Sequence, residues 1–277
     1  MTEEIGFSPE DQQFIDRAVG FCQQMGKRAV LMLIGSRAAG FTDEWSDLDL
    51  GIIGDKRRLS DEDRRTYEQS WQLFVDRGDY EAHWSFFDEG DLREWLETYP
   101  DEMMWVVSTS QTLYGCSSTA EALKRDYCLH PPAIAESKLK WMYGKYYFSQ
   151  RGPLAMAARN RVETSIIAVG NIIEYLCKMC CVAERRPYPY EKWLVEVAKQ
   201  TRLGAMVYPM IQRAVNGLGD LLDPPTYSNW RDWAPVKELR GTLPIVQSGL
   251  KELGWAYDWI DDPNRAYFDE TARRPAP

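Results

Sequence analysis

Histidine, long apolar runs and clustered basic residues are all scarce in this 277-residue chain, and each shortage removes a class of protein. Six cysteines are too few for a disulfide scaffold, and the two histidines offer no second ligand group that would turn Cys177, Cys180 and Cys181 into a zinc site. Those three sit in a helical pattern and read as buried thiols. No stretch reaches about 18 apolar residues, and Met1 to Gly20 carries acids near its start without an apolar core of signal-peptide length. The expectation is a soluble, cytoplasmic chain with no membrane partner. No run of Lys and Arg makes a basic stripe: the formal charge is −9, the pI is near 5.0, and Arg57-Arg58 and Arg64-Arg65 lie among acids like a solvated helix face. A nucleic-acid partner is therefore not expected, whereas a small or cationic substrate suits an acidic protein. Internal repeats and low-complexity tracts are also missing.

What is present is enough apolar material, 44% of the residues, to build one large or two ordinary domains. The 11 Trp and 15 Tyr are many for this length. Such rings fill cores, and they also line pockets for flat or sugar-like ligands.

The most informative stretch is Gly35 to Gly51, read GSRAAGFTDEWSDLDLG. An apolar run from Ala29 to Ile34 leads into Gly35-Ser36, and Asp47-Leu48-Asp49-Leu50 opens a second run through Ile53, so two short strands with a loop between them are expected. Side chains alternate along a strand, which puts Asp47 and Asp49 on one face and Leu48 and Leu50 in the core. Two carboxylates that close together repel unless a cation lies between them. Hard oxygen ligands suit Mg²⁺, which is held by one or two carboxylates plus substrate phosphates. Gly35 lets the backbone approach a ligand, and Ser36 offers a hydroxyl and an amide to an anion. Phosphate at one end and metal at the other imply a metal-bound nucleoside triphosphate. Arg37, with its forked donors, is a further candidate for the phosphates, a surface arginine being the plain alternative.

In that order, strand, Gly-Ser, ten residues, Asp-x-Asp and strand resemble the signature of the nucleotidyltransferase superfamily related to DNA polymerase β. The resemblance implies an α+β fold: an N-terminal nucleotidyltransferase domain with a mixed sheet flanked by helices, then an all-α helical bundle. It also implies in-line attack of a hydroxyl on the α-phosphorus of ATP or another NTP, with two Mg²⁺ ions clamping the attacking and leaving oxygens. Two metals call for a third acid, and the family's third carboxylate sits on the strand after the motif. Glu81 opens that strand here, with His83 as its competitor on the same face. We favour Glu81, because an acid binds metal or removes a proton from a hydroxyl, whereas neutral imidazole suits Mg²⁺ poorly. An exposed strand-end acid is the plain alternative.

Along the chain, Ser8-Pro9-Glu10-Asp11 predicts a helix start, and Phe14, Ile15, Ala18, Val19 and Cys22 follow at helical spacing. Ser60-Asp61-Glu62-Asp63 caps a predicted helix that carries Tyr67, Trp71, Phe74 and Val75 as far as Gly78-Asp79. Tyr80 to Phe87 alternates as a third strand, with Glu81, His83, Ser85 and Phe87 on one face. A short helix from Leu92 to Tyr99, a fourth strand from Met103 to Val107, an edge strand from Gln111 to Gly115 and a helix from Ser117 to Tyr127 complete the first half. His130-Pro131-Pro132 marks the expected boundary between a catalytic domain, 1–130, and a helical substrate-binding or lid domain, 131–277. Beyond it the pattern predicts helices only. One runs from Leu154 to Ala183 with an apolar stripe through Val162, Ile166, Val169, Ile173, Leu176 and Cys180, and the charged tail from Asp261 to Pro277 is expected to be loosely held.

A catalytic domain followed by a helical one resembles antibiotic nucleotidyltransferases of the kanamycin, streptomycin and lincosamide types. Gly144-Lys145 is similar to a Gly-Lys whose lysine contacts the nucleotide phosphates in the kanamycin enzymes, but Trp141 stands where their general base would be. Tyr188-Pro189-Tyr190-Glu191-Lys192-Trp193 resembles a turn of related enzymes, which makes Lys192 a second phosphate candidate. A surface lysine is the alternative for each. Glu163 is a remaining candidate base, or half of a surface ion pair with Arg159. The expected activity is transfer of a nucleoside monophosphate, AMP from ATP first of all, to a hydroxyl of a small molecule such as an aminoglycoside or lincosamide. Two rivals are adenylylation of a protein partner of the toxin-antitoxin kind and a nucleotide-binding module without turnover. The aromatic-rich helices can serve a homodimer interface or a core.

Overall fold

Ser8 starts the first helix, α1 (Pro9–Gln24), by a reciprocal box: its hydroxyl accepts from the Asp11 amide at 3.0 Å, and the Asp11 carboxylate accepts from the Ser8 amide at 2.8 Å. The computed structural model describes residues 6–43, 46–70, 72–77, 81–151, 153–222 and 228–268, and the chain divides into two units, Met1–Cys128 and Leu129–Pro277.

In the first unit β1 (Val30–Leu33) runs into a five-residue helix, α2 (Gly35–Ala39), where the sequence suggested a plain loop. Then come β2 (Leu48–Gly54), α3 (Asp61–Gln69), β3 (Gln72–Arg77), β4 (Glu81–Asp88), α4 (Glu89–Leu96), α5 (Asp101–Thr109), β5 (Gln111–Gly115) and α6 (Ser117–Tyr127). The five strands form one mixed sheet in the order β3-β4-β2-β1-β5; β2 and β4 pair in parallel and the other pairs are antiparallel.

Alternation divides the strand residues between two cores. Leu31, Leu33, Leu48, Leu50, Ile52, Trp84 and Phe86 pack with Phe14, Ile15, Ala18 and Cys22 of α1. Val30, Met32, Ile53 and Phe87 pack instead with Leu92 and Leu96 of α4, Met104 and Val107 of α5, and Leu123 of α6. Asp49 and His83 share this second face of the sheet, at the end where the apolar filling stops.

Two expectations fail here. The helix capped by Ser60 stops at Gln69, and residues 72–77 form edge strand β3 beside β4. The apolar spacing of this segment also fits a contiguous Leu73-Phe74-Val75 run, and pairing with β4 decides between the two readings. Trp71, residues 78–80, the side chains of 72–77 and the tail from Asp269 lie outside the described residues. The strand foreseen at Met103 to Val107 is helix α5, started after Pro100 by Asp101 and Glu102, with Met104, Trp105 and Val107 buried. A short window of consecutive apolar residues does not separate a strand from a buried helix.

The second unit is all helical: α7 (Pro132–Ser149), α8 (Val162–Ala183), α9 (Glu191–Lys199), α10 (Arg202–Asn216), α11 (Ala234–Glu252) and the short α12 (Asp258–Asp261) and α13 (Pro263–Phe268). Buried polar groups tie it together. The Tyr143 hydroxyl donates to the Ile260 carbonyl at 2.9 Å, Tyr146 shares a 2.6 Å hydrogen bond with Thr242, and the Trp255 indole donates to the Ala183 carbonyl at 2.8 Å. The long helix foreseen from Leu154 is two pieces: residues 153–159 form a 3-10 turn, and Asn160 adopts φ 57 before α8 begins. The apolar stripe is offset by a residue at this end, with Ser165 buried and Ile166 and Ile167 exposed at 44% and 64%. Ser165 is drawn inward because its hydroxyl accepts from the Ala157 amide at 2.7 Å. α8 is also long and apolar enough to cross a membrane, which the sequence reading did not anticipate, although 56% of its most apolar window is buried within the protein, as in a core helix.

The cysteines fall into two chemical groups. Burial pushes the thiols of Cys22 and Cys177 up to about 11 and about 12, and Cys180 well above the usual range. Cys116 stands just before α6, and hydrogen bonds from Ser118 and Thr119 lower its pKa. Iodoacetamide near neutral pH is therefore expected to alkylate Cys116 before any of these three, as read by peptide mass mapping; earlier labelling of Cys177 or Cys180 would contradict their burial.

Candidate active site

The site is built where β1 hands over to α2. The Ile34 amide donates to the Asp49 carbonyl at 3.0 Å, so the chain leaves β1 still tied to β2. Gly35 follows with φ +70, and a Cβ there would lie 2.2 Å from Asp49 Oδ2. Only glycine allows both the left-handed backbone and the close approach of this carboxylate. Ser36 comes next. It is 2% exposed, and its hydroxyl has no hydrogen-bond partner among the described residues.

The parallel register of β2 and β4 sets Asp49 opposite His83, so both side chains rise from the same face. His83 Nε2 lies 2.5 Å from Asp49 Oδ1, and Nδ1 lies 3.9 Å from Asp47 Oδ2. One ligand atom from each of Asp47, Asp49 and His83 falls within 4.8 Å of the others, and all three side chains are partly open, at 27%, 16% and 20% exposure. Leu48 and Leu50 are fully buried, as the alternation predicts.

Arg37 is held by α1 and by the loop before Asp47. Nη1 meets both carboxylate oxygens of Asp11 at 2.9 and 3.0 Å, and Nη2 donates to the Ser46 carbonyl at 3.0 Å. The Asp11 and Arg37 side chains are only 4% and 17% exposed. Ser46 in turn holds Asp43, through a 2.8 Å hydrogen bond between its hydroxyl and the Asp43 carboxylate. The guanidinium thus links α1, α2 and the residue before Asp47, a role for Asp11 and Arg37 that the sequence reading missed. The signal for it was faint: Asp11 reads as an ordinary first-turn acid.

The remaining candidates stand as follows. Glu81 opens β4, opposite Arg77, and its side chain lies outside the described residues. Lys145 belongs to the second unit, exposed on α7 with its ammonium 5.9 Å above the Trp141 ring and 6.0 Å above that of Tyr267. Lys192 is exposed near the start of α9, 5.2 Å from the Trp193 ring. Trp141 packs edge-on against Tyr175. Glu163 is exposed in the first turn of α8, and Arg159 ends the preceding 3-10 turn, so the two do not lie on one continuous helix.

A divalent cation fits the residues present. Two aspartates and an imidazole converge, Gly35 makes room for the Asp49 carboxylate, and the buried hydroxyl of the next residue, Ser36, lacks a partner among the described residues. Among the described residues, this is the group of acids, His or Cys close enough to share a metal ion.

The mixed sheet sets Asp47 and Asp49 beside the Gly35-Ser36 turn. Residues 15–94 match the family described as nucleotidyltransferase domain, a span that holds Gly35, Ser36, Asp47, Asp49, Glu81 and His83. A solved nucleotidyltransferase-like protein from Exiguobacterium sibiricum 255-15 is similar at 12% identity and a TM-score of 0.47, over 88% of this chain and 76% of that one. No curated protein sequence matches the chain.

Proposed function

We propose that this protein transfers a nucleoside monophosphate from a nucleoside triphosphate, ATP first of all, to a hydroxyl of a small molecule and releases pyrophosphate. The observation that carries the reading is the convergence of Asp47, Asp49 and His83 beside Gly35 and the unpartnered Ser36 hydroxyl. Ser36 donates to a phosphate oxygen, and the two aspartates hold the cation. When bound, the cation neutralises charge on the triphosphate and on the departing pyrophosphate. The acceptor oxygen forms a bond to the α-phosphorus as the bond to the pyrophosphate oxygen breaks, and its proton passes to a carboxylate, for which Glu81 is the assigned acceptor. Aminoglycosides and lincosamides are the first acceptors to try. We place the activity in the cytoplasm.

The test is pyrophosphate release with Mg²⁺ or Mn²⁺, each of the four NTPs, and a panel of hydroxylated antibiotics. Asp47→Asn is expected to lower release by roughly 10³-fold while the thermal unfolding midpoint stays near wild type, since preorganised charge supplies most of the rate in such a site. Transfer by Asp47→Asn at the wild-type rate would sink the assignment. Transfer of labelled AMP to a protein, with none to a small molecule, would move the acceptor to a macromolecule.

A further inference from the structure

We infer that His83 is a direct ligand of the divalent cation and that this nitrogen makes the site prefer Mn²⁺ to Mg²⁺. The inference rests on the reading of Asp47 and Asp49 as cation ligands and goes beyond it by naming the third ligand and the ion. In the β2–β4 register the residue level with Asp49 is His83. One nitrogen of His83 and one oxygen from each aspartate lie within 4.8 Å of one another, close enough to share an ion.

The chemistry of the donor set decides the ion. Mg²⁺ is hard, dehydrates reluctantly and takes oxygen ligands, so exchanging a carboxylate for an imidazole weakens its site. Mn²⁺ accepts the same octahedral, oxygen-rich arrangement and, as the softer ion of the two, loses less than Mg²⁺ when one oxygen is exchanged for a nitrogen. Two carboxylates, one nitrogen and partly open side chains leave positions for water or phosphate oxygens, which fits an octahedral ion better than a closed tetrahedral one. The unpartnered, buried Ser36 hydroxyl beside Gly35 is an independent sign that a ligand belongs here. The competing account makes His83 only a hydrogen-bonding spacer that keeps the aspartates apart in the empty site. The two accounts differ in whether nitrogen is bonded to the metal.

The experiment is titration of the full-length protein with MnCl₂ without nucleotide, followed by the electron paramagnetic resonance of free Mn²⁺, with MgCl₂ as competitor. Electron spin echo measurements then read ¹⁴N coupling on the bound ion. Wild type is expected to bind Mn²⁺ about tenfold or more tighter than Mg²⁺ and to show ¹⁴N modulation. His83→Gln should lose the modulation and weaken Mn²⁺ by about 10- to 100-fold, with a smaller change for Mg²⁺. His83→Asp, which restores an oxygen ligand, should still bind cations with the Mn²⁺ preference reduced. Failure of wild type to bind Mn²⁺, bound Mn²⁺ without ¹⁴N modulation, or a Mn²⁺ preference unchanged in both variants overturns the inference. A nitrogen-ligated Mn²⁺ in a protein that releases no pyrophosphate would uphold this site while removing the transferase reading. Release of pyrophosphate with no His83-dependent Mn²⁺ binding would do the reverse.

Discussion

Gly35→Ala is expected to lower cation affinity and nucleotidyl transfer by about 100-fold or more, the penalty of misplacing a reacting group by about an ångström. The added methyl would stand 2.2 Å from Asp49 Oδ2, and the φ of +70 at this position adds strain of about 1–2 kcal/mol for any residue with a side chain. The carboxylate is the softer party, so it swings away, and the ligand leaves its place. The clash and the strain are separable. Combined with Asp49→Ala, the same substitution should cost only the backbone strain, because the atom it collides with is gone. Thermal unfolding of the single and double variants, with Mn²⁺ titration of Gly35→Ala, reads both effects. Wild-type cation affinity in Gly35→Ala would show that Asp49 does not ligate from the position described.

Arg37→Met should destabilise the first unit by about 2–4 kcal/mol, since it leaves the Asp11 carboxylate buried with its strongest partner removed. The figure lies a little below the full cost of a broken buried pair because the Ser8 amide still donates to Asp11. It also strips the Ser46 carbonyl of its guanidinium donors, which loosens the chain just before Asp47. Adding Asp11→Asn removes the uncompensated charge, so the double variant is expected to be more stable than Arg37→Met alone. Urea denaturation of the two single variants and the double gives the coupling directly. The result also settles between two roles: wild-type stability with a raised KM for the nucleotide would return Arg37 to the phosphates, whereas lost stability with an unchanged KM confirms it as the tie between α1 and the aspartate loop.

Much of this protein follows from short-range patterns. The capping box at Ser8, the alternation that buries Leu48 and Leu50 while turning Asp47 and Asp49 out, and the edge strand and helix from Gln111 to Tyr127 depend on neighbours a few residues apart. The misreadings have the same character as one another. At Leu73 to Val75 and at Met103 to Val107 a handful of consecutive apolar residues fits helix and strand equally, and what decided was whether a free sheet edge lay beside them. At Arg159 the left-handed Asn160 ended a continuity that composition alone suggested.

Local pattern alone places two aspartates, two residues apart, after a Gly-Ser turn on adjacent strands, the arrangement on which the proposed phosphate and cation roles rest. It also narrowed the third group to one face of the next strand, Glu81 or His83. Which of them stands level with Asp49 came from the pairing of β2 with β4, which sets His83 opposite it. Register between two strands is set by the packing of both faces of the sheet, and in a parallel pair no tight turn fixes it in the sequence. The same holds for Arg37, whose partner Asp11 lies 26 positions away and became its neighbour only when α1 was laid across the sheet by its apolar face.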